Sequence, residues 1–193
     1  WRAESHRPVS TDVHILHRDE LYGMSTRSAR IRALPRDRPL VTLVGAIIVV
    51  ELLGGSGSLF TAQGLTTWYD TLQQPTLSPP NWVFGVVWPL LFALMGTALW
   101  LVWRQAAATP RAARLAGVAF GLQFVFNIGW SAVFFGLREI GWGLAVIGGL
   151  WLLILVTIVA FDRVDRRAAV LLVPYLAWVT FAGYLNYQFW VLN

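Results

Sequence analysis

The sequence contains no cysteine and no lysine, and all three histidines lie within the first 38 residues. Without cysteine there are no disulfides, thiol nucleophiles or cysteine-ligated metals. Beyond residue 38 the only carboxylates are Glu51, Asp70, Glu139, Asp162 and Asp165. Since these yield no catalytic triad, carboxylate pair or metal-ligand cluster, we expect no metal site and assign no catalytic residue from composition.

Charge is also scarce. Charged residues make up 13% of the chain and hydrophobic residues 56%, whereas ordinary globular chains carry about 25% charged residues. The net charge is +5, and all fifteen basic residues are arginine. These arginines fall in the N-terminal segment and in short connections, not along an exposed helix, so we expect no nucleic-acid partner.

Five apolar runs follow a polar N-terminal segment, and each is long enough to cross a hydrocarbon core of about 30 Å as a helix. The runs are 40–60, 82–103, 112–135, 142–161 and 168–192. Membrane strands would be about half as long and would alternate in polarity. The sequence therefore predicts an all-α membrane protein: a five-transmembrane-helix bundle over residues 39–193, embedded in a lipid bilayer. Residues 1–38, rich in arginine and poor in apolar periodicity, are predicted to form a disordered tail.

Arginine is distributed very unevenly between the two predicted sides of the membrane. With five spans, the tail and the connections 104–111 and 162–167 lie on the same side of the membrane. That side holds fourteen arginines, counting Arg114 just inside the third span, whereas the other side holds only Arg138. The positive-inside rule predicts a cytoplasmic N-terminus and a C-terminus on the opposite side.

Polar side chains form a stripe on the third span. Gln123, Asn127 and Ser131 follow at intervals of four, with Trp130 beside them. Amides in a bilayer need hydrogen-bonding partners, so this stripe should face the bundle interior. Interhelical hydrogen bonding and orientation of a ligand both remain open as its role.

Two other spans carry aromatic faces at helical spacing. They comprise Trp88, Phe92 and Met95 on the second span, and Tyr175, Trp178, Ala182 and Asn186 on the fifth. Converging with the polar stripe, these faces predict an apolar cavity with a few polar groups, which suits a flat hydrophobic ligand.

The connection 61–81 contains Trp68 and Tyr69, followed by Pro75, Pro79 and Pro80. Prolines restrict the backbone, so the loop should be stiff. It is either a lid over the cavity or an interfacial loop held by an aromatic belt.

Small residues cluster in two places. At 54–58 they indicate close helix approach or a frayed helix end, and Ala113, Gly117 and Gly121 form a face that favours packing within the bundle or a homodimer contact.

The order of motifs resembles the TspO/MBR family, the tryptophan-rich sensory proteins related to the mitochondrial translocator protein, or peripheral-type benzodiazepine receptor. The motifs are Trp68-Tyr69-x-x-Leu72-x-x-Pro75-x-x-x-Pro79-Pro80-x-Trp82-x-Phe84-x-x-x-Trp88, Met95-Gly96, Gln123-x-x-x-Asn127-x-x-Trp130-Ser131, Phe134-Phe135-Gly136, Pro174-Tyr175-Leu176-x-Trp178 and Leu185-Asn186. They span residues 40–193 in order.

The resemblance implies a five-helix bundle, often dimeric, that binds porphyrin or haem-type tetrapyrroles, without an obligatory cofactor, in tetrapyrrole handling or stress signalling. It implies a pocket of Tyr69, Pro79, Trp88, Phe92, Asn127, Trp178 and Ala182, to which the polar stripe adds Gln123, Trp130 and Ser131. Two alternatives accompany it: light-dependent porphyrin degradation, with Trp88 and Trp178 as the candidate residues, and transport of a tetrapyrrole or sterol.

The chain departs from the family pattern in two places. Gln74, Thr76 and Leu77 stand around Pro75 where the family often has lysine and tryptophan. No basic residue follows Tyr184 and Tyr187, which disfavours the family's sterol motif. With no histidine or cysteine in the bundle, a haem would lack its usual axial ligands.

Overall fold

The computed structural model describes residue 31 and residues 34–65 and 68–193, and all regular secondary structure within them is helical. In this part of the chain, five helical segments are long and apolar enough to cross a membrane: Pro39–Ala62, Asn81–Gln105, Pro110–Gly136, Ile140–Asp162 and Arg166–Leu192. Each begins and ends within two residues of the predicted run, so the predicted five-helix architecture is confirmed. Most of the predicted tail lies outside the described residues, while residues 34–37 are helical.

The first and fifth spans are each divided into two helices. The first comprises α1 (Pro39–Gly55) and α2 (Ser58–Leu65), and the fifth comprises α6 (Arg166–Leu171) and α7 (Val173–Leu192). The break in the fifth span is next to Pro174, which has no N–H to donate to the preceding turn. The remaining spans begin with α3 (Asn81–Gln105), α4 (Pro110–Ser131) and α5 (Ile140–Asp162).

The third span ends in a π-helix, Ala132–Gly136. The wider turn buries both Phe134 and Phe135, although neighbours on an α-helix would point about 100° apart. Single π-turns inside α-helices occur frequently at functional sites. Here the π-helix brings two rings to one end of the bundle.

The two ends of the bundle differ in chemistry. At the arginine end, which carries the connections 104–111 and 162–167, Trp100 Nε1 donates to Thr42 Oγ1 at 3.0 Å and Phe120 stacks on Phe161. At the opposite end, the lid end, the loop 68–80 packs over the helices. Between them lies an apolar core in which Met95 and Tyr175 are fully buried.

Small residues allow close approach at the end of the first span. A Cβ on Gly54 would overlap the ring of Phe92, and one on Gly57 would lie 3.4 Å from Ser131 Oγ. Close approach is therefore found at both glycines, although α1 also ends at Gly55. Close approach is confirmed, whereas fraying is not found, because the helix resumes at Ser58 after a two-residue turn.

The small-residue face of α4 is used differently along its length. Ala113 is buried in the core. By contrast, a Cβ on Gly117 or Gly121 would meet no atom within 4 Å. Packing within the bundle therefore accounts for Ala113 but leaves the surface at the two glycines open.

Candidate ligand-binding site

Tyr175 is the centre of a buried polar network between the third and fifth spans. Asn127 Nδ2 donates to Tyr175 Oη at 2.9 Å, and Tyr175 Oη donates to Gln123 Oε1 at 3.0 Å. All three side chains are buried. The predicted inward-facing stripe on the third span thus finds its partner on the fifth span, as buried amides in a bilayer require.

Two buried donors near this network have no hydrogen-bond partner among the described residues. They are Gln123 Nε2 and Trp178 Nε1. Leaving a buried donor unsatisfied costs about 1–3 kcal/mol, so most native structures pair such groups. Both atoms could donate to oxygen atoms of a ligand.

Aromatic rings surround the polar network. Trp88 stacks on Phe92 with ring centroids 5.4 Å apart, and the rings of Trp88 and Tyr175 meet edge to face with centroids 6.5 Å apart. Phe84 meets Trp178 edge to face at 5.8 Å. The second and fifth spans thus supply flat apolar walls beside the polar network, as the predicted faces indicated.

A second aromatic cluster lies at the lid end. Tyr69 is 5% exposed and packs against Phe189 at 5.1 Å and Phe135 at 5.8 Å. Trp68 meets Phe134 edge to face at 5.7 Å. Burial raises the pKa of the Tyr69 hydroxyl above its ordinary value. The start of the loop is therefore inserted between rings of the third and fifth spans.

Polar contacts hold the rest of the loop in place. Asn193 Oδ1 accepts from the backbone N–H of Gln73 at 2.8 Å, and Asn193 Nδ2 donates to the Gln73 carbonyl at 3.3 Å. Gln74 Nε2 donates to the Tyr69 carbonyl at 3.0 Å. Trp82, at the end of the loop, is 69% exposed. The first half of the loop thus covers this end of the bundle, and Trp82 suits an interfacial belt. That the loop is a lid over a ligand stays a prediction.

The predicted site residues fall into two neighbouring groups. Trp88, Phe92, Gln123, Asn127, Trp178 and Ala182 belong to the main core or bond to it. Tyr69 belongs to the lid-end cluster, and Trp130 packs against both groups. Ser131 instead faces Gly57, and Pro79 is half-buried in the loop.

Asn186 has a structural task that its spacing alone did not reveal. Its Oδ1 accepts from Trp130 Nε1 at 3.0 Å, and its Nδ2 donates to the Ile140 carbonyl at 2.9 Å. It thereby joins the third, fourth and fifth spans. Spacing placed Asn186 on the inward face, but no sequence signal pairs it with Trp130.

Sequence reasoning also missed the ring partners of Tyr69. In the sequence, Phe134 and Phe135 stand out only as part of a motif, and nothing distinguishes Phe189. The available signal was the Phe134-Phe135-Gly136 motif, but the π-helix that buries both rings was not predictable from helical periodicity. Within residues 34–65 and 68–193, no three His, Cys, Asp or Glu side chains form a metal-ligand group.

Comparison with known proteins agrees with the family resemblance of the sequence motifs. Residues 46–191 match the model of the TspO/MBR family. The chain is 40% identical to the tryptophan-rich protein TspO of Chlorobaculum tepidum over 161 residues, which cover 81% of this chain and 99% of that protein. It is 34% identical to the translocator protein of Bos taurus (80% and 92% covered) and 38% identical to the tryptophan-rich sensory protein of Cereibacter sphaeroides (65% and 77% covered).

Proposed function

The chain belongs to the TspO/MBR family, and from this membership we propose that it binds a planar tetrapyrrole, a porphyrin or haem, inside the bundle. The ligand would lie among Trp88, Phe92 and Trp178, beneath the 68–80 loop. Its role would be in tetrapyrrole handling or stress signalling.

The observation that carries the proposal is the pair of unpartnered donors, Gln123 Nε2 and Trp178 Nε1, among aromatic rings. A porphyrin combines a flat apolar macrocycle with carboxylate side chains. The rings would stack on the macrocycle, and the donors would bind carboxylate oxygens. Such charge-assisted hydrogen bonds are roughly twice as strong as neutral ones.

Binding requires the aromatic rings to separate. Trp88 and Phe92 now stack on each other at 5.4 Å, so the macrocycle would replace that contact with two of its own. Trp88 is half-buried, which leaves its side chain room to rotate, and rotamer changes on binding are common. The chain offers no histidine or cysteine beyond residue 38. We therefore expect iron-free porphyrin to bind about as tightly as haem.

The test is titration of purified protein with protoporphyrin, followed by the porphyrin's own absorbance so that loss of a tryptophan does not alter the signal. Trp178→Phe keeps an aromatic ring but removes Nε1, and should weaken binding about tenfold. Trp88→Ala removes a wall and should weaken it more. Trp142→Phe, at a tryptophan 69% exposed on α5, is the control and should bind like wild type. Unchanged affinity in folded Trp178→Phe and Trp88→Ala would overturn the proposed site.

Illumination of the same complex addresses the enzymatic alternative. Wild-type protein that bleaches porphyrin, with slower bleaching in Trp88→Phe or Trp178→Phe, would make the site a degrading one. An unchanged porphyrin spectrum would show that the protein binds porphyrin without degrading it. Porphyrin flux into sealed vesicles tests the transport alternative in the same way.

We further propose that the N-terminus is cytoplasmic and the C-terminus on the opposite side. The support is the fourteen-to-one arginine distribution. Labelling of single cysteines introduced at position 107 and at position 138, with a membrane-impermeant reagent on intact cells, tests it: only the second should react.

A further inference from the structure

A cavity of about 270 Å³ lies at the arginine end, between the end of α3 and the start of α4. Leu99, Val102 and Trp103 line it from α3, and Ala113, Arg114 and Gly117 line it from α4. None of these residues belongs to the aromatic site. Ligand pockets for drug-sized molecules are usually about 300–1,000 Å³, so this cavity is too small for a macrocycle and suits a narrow apolar chain.

The cavity wall has no side chain at Gly117. A Cβ there would meet no atom within 4 Å, although Ala113, one turn earlier, is buried. The cavity is therefore an open groove beside α4 that reaches from Pro110 to Gly117. Its apolar surface matches an acyl chain lying parallel to the helices.

Arg114 gives the mouth of the cavity a positive charge without a counter-charge on its own helix or on α3. No acidic residue occurs between Asp70 and Glu139, so neither α3 nor α4 offers Arg114 a carboxylate. Arg104, nearby on α3, lies over the ring of Trp100, with its Cζ 4.7 Å from the ring centroid. Arg114 is thus the charged residue of the cavity lining, and the carboxylates at this end of the bundle, Asp162 and Asp165, lie on the connection between the fourth and fifth spans.

The start of α4 adds to this positive potential. Thr109, at the N-cap position, makes no side-chain hydrogen bond to the helix, and its hydroxyl donates to the Gln105 carbonyl at 3.1 Å. The first residue of α4 is Pro110, which has no N–H, so only the N–H groups of Arg111 and Ala112 are left for another acceptor. A helix N-terminus of this kind favours an anion.

We propose that the cavity binds an anionic phospholipid from the leaflet at the arginine end. Its phosphate lies at Arg114 and the first turn of α4, and one acyl chain occupies the groove along Gly117. Basic pockets between transmembrane helices bind anionic lipid head groups in this way. The inference is independent of tetrapyrrole binding, since the two sites share no residue.

The experiment measures lipid retained by the detergent-solubilised protein in native mass spectrometry, with phosphatidylglycerol and phosphatidylcholine of identical acyl chains. Wild type should retain phosphatidylglycerol about tenfold better. Arg114→Gln should remove most of that preference, and Gly117→Leu should reduce retention of phosphatidylglycerol by filling the groove. Inorganic phosphate at matched concentration should not displace the lipid if the acyl chain contributes.

Two controls match these variants. Arg166→Gln removes an equal charge at the same end without touching the cavity, and Gly148→Leu adds a side chain at another glycine with no atom within 4 Å of its Cβ position. Both should retain lipid like wild type. Equal retention of the two lipids by wild type, or equal losses in Arg114→Gln and Arg166→Gln, would overturn the proposal. So would Gly117→Leu abolishing a homodimer while leaving lipid retention unchanged, because a second copy would then occupy the groove.

Discussion

Gly54 lies directly beneath the ring of Phe92, so close that any side chain at position 54 would overlap the ring. Gly55, the next residue, has no atom within 4 Å of its Cβ position. One glycine of the pair therefore fixes the position of an aromatic wall of the candidate site, and the other faces away from it.

We expect Gly54→Ala to push Phe92 out of place. Overpacking of a core costs about 1–3 kcal/mol of stability, and the displaced ring should also weaken porphyrin binding. Gly55→Ala is the matched control, and it should be neutral or stabilise α1 by up to about 1 kcal/mol through helix propensity. Thermal unfolding in detergent and porphyrin titration measure the two effects. Equal behaviour of the two variants would contradict the packing argument.

Tyr175→Phe should destabilise the bundle. The ring is preserved, but Asn127 Nδ2 and Gln123 Oε1 lose the hydroxyl to which both are bonded. Leaving a buried polar group without a hydrogen-bond partner costs about 1–3 kcal/mol. The two amides recover part of this cost if they reorient toward each other. Tyr187→Phe, at an exposed tyrosine of the same helix, should change stability little. Comparison of the two melting curves tests the network.

Asn193→Ala should loosen the loop. It removes both hydrogen bonds to Gln73, and these use only the Gln73 backbone. Gln73→Ala is therefore a sharp control, because it changes the other side chain and keeps both bonds. We expect faster amide exchange over 68–80 and several-fold faster porphyrin release in Asn193→Ala alone. Matching rates in the two variants would show that the Asn193 contact does not hold the loop.

Loop closure should fail at alkaline pH. Burial raises the pKa of Tyr69 in the docked loop, so docking favours the neutral phenol. The contribution of Tyr69 to the stability of the docked loop is complete below the ordinary tyrosine pKa of about 10. It is lost as the pH rises through the raised pKa of Tyr69 in the docked loop. Porphyrin release should accelerate over that range in wild type and not in Tyr69→Phe. An identical alkaline response in Tyr69→Phe would assign the effect to another group.

The membrane helices were predictable because the bilayer imposes their length. Apolar runs located all five spans to within two residues, and the four-residue spacing of Gln123 and Asn127 correctly turned both amides inward. Neither signal depends on the partner of a side chain. Both signals can therefore be read from a single sequence.

Features set by partners were not predictable. The spacing rule extended the stripe to Ser131, whose side chain lies near Gly57 of the first span and not in the Tyr175 network. The π-helix that begins one residue later was also not predictable. The pairing of Trp130 with Asn186 joins residues 56 positions apart. Such contacts follow from the packed geometry, and no local pattern encodes them.

The contact between Gln73 and Asn193 also constrains how the protein is made. These residues are 120 positions apart, and Phe189 lies equally far along the chain from its ring partner Tyr69. Ribosomes add about 5–20 residues per second, so the loop emerges roughly 6–24 s before the side chain that fastens it. During that interval the nascent bundle stays open at one end. Trp178, a wall of the proposed site, is itself made only 15 residues before Asn193, so the site and the contact that closes it are completed at nearly the same time.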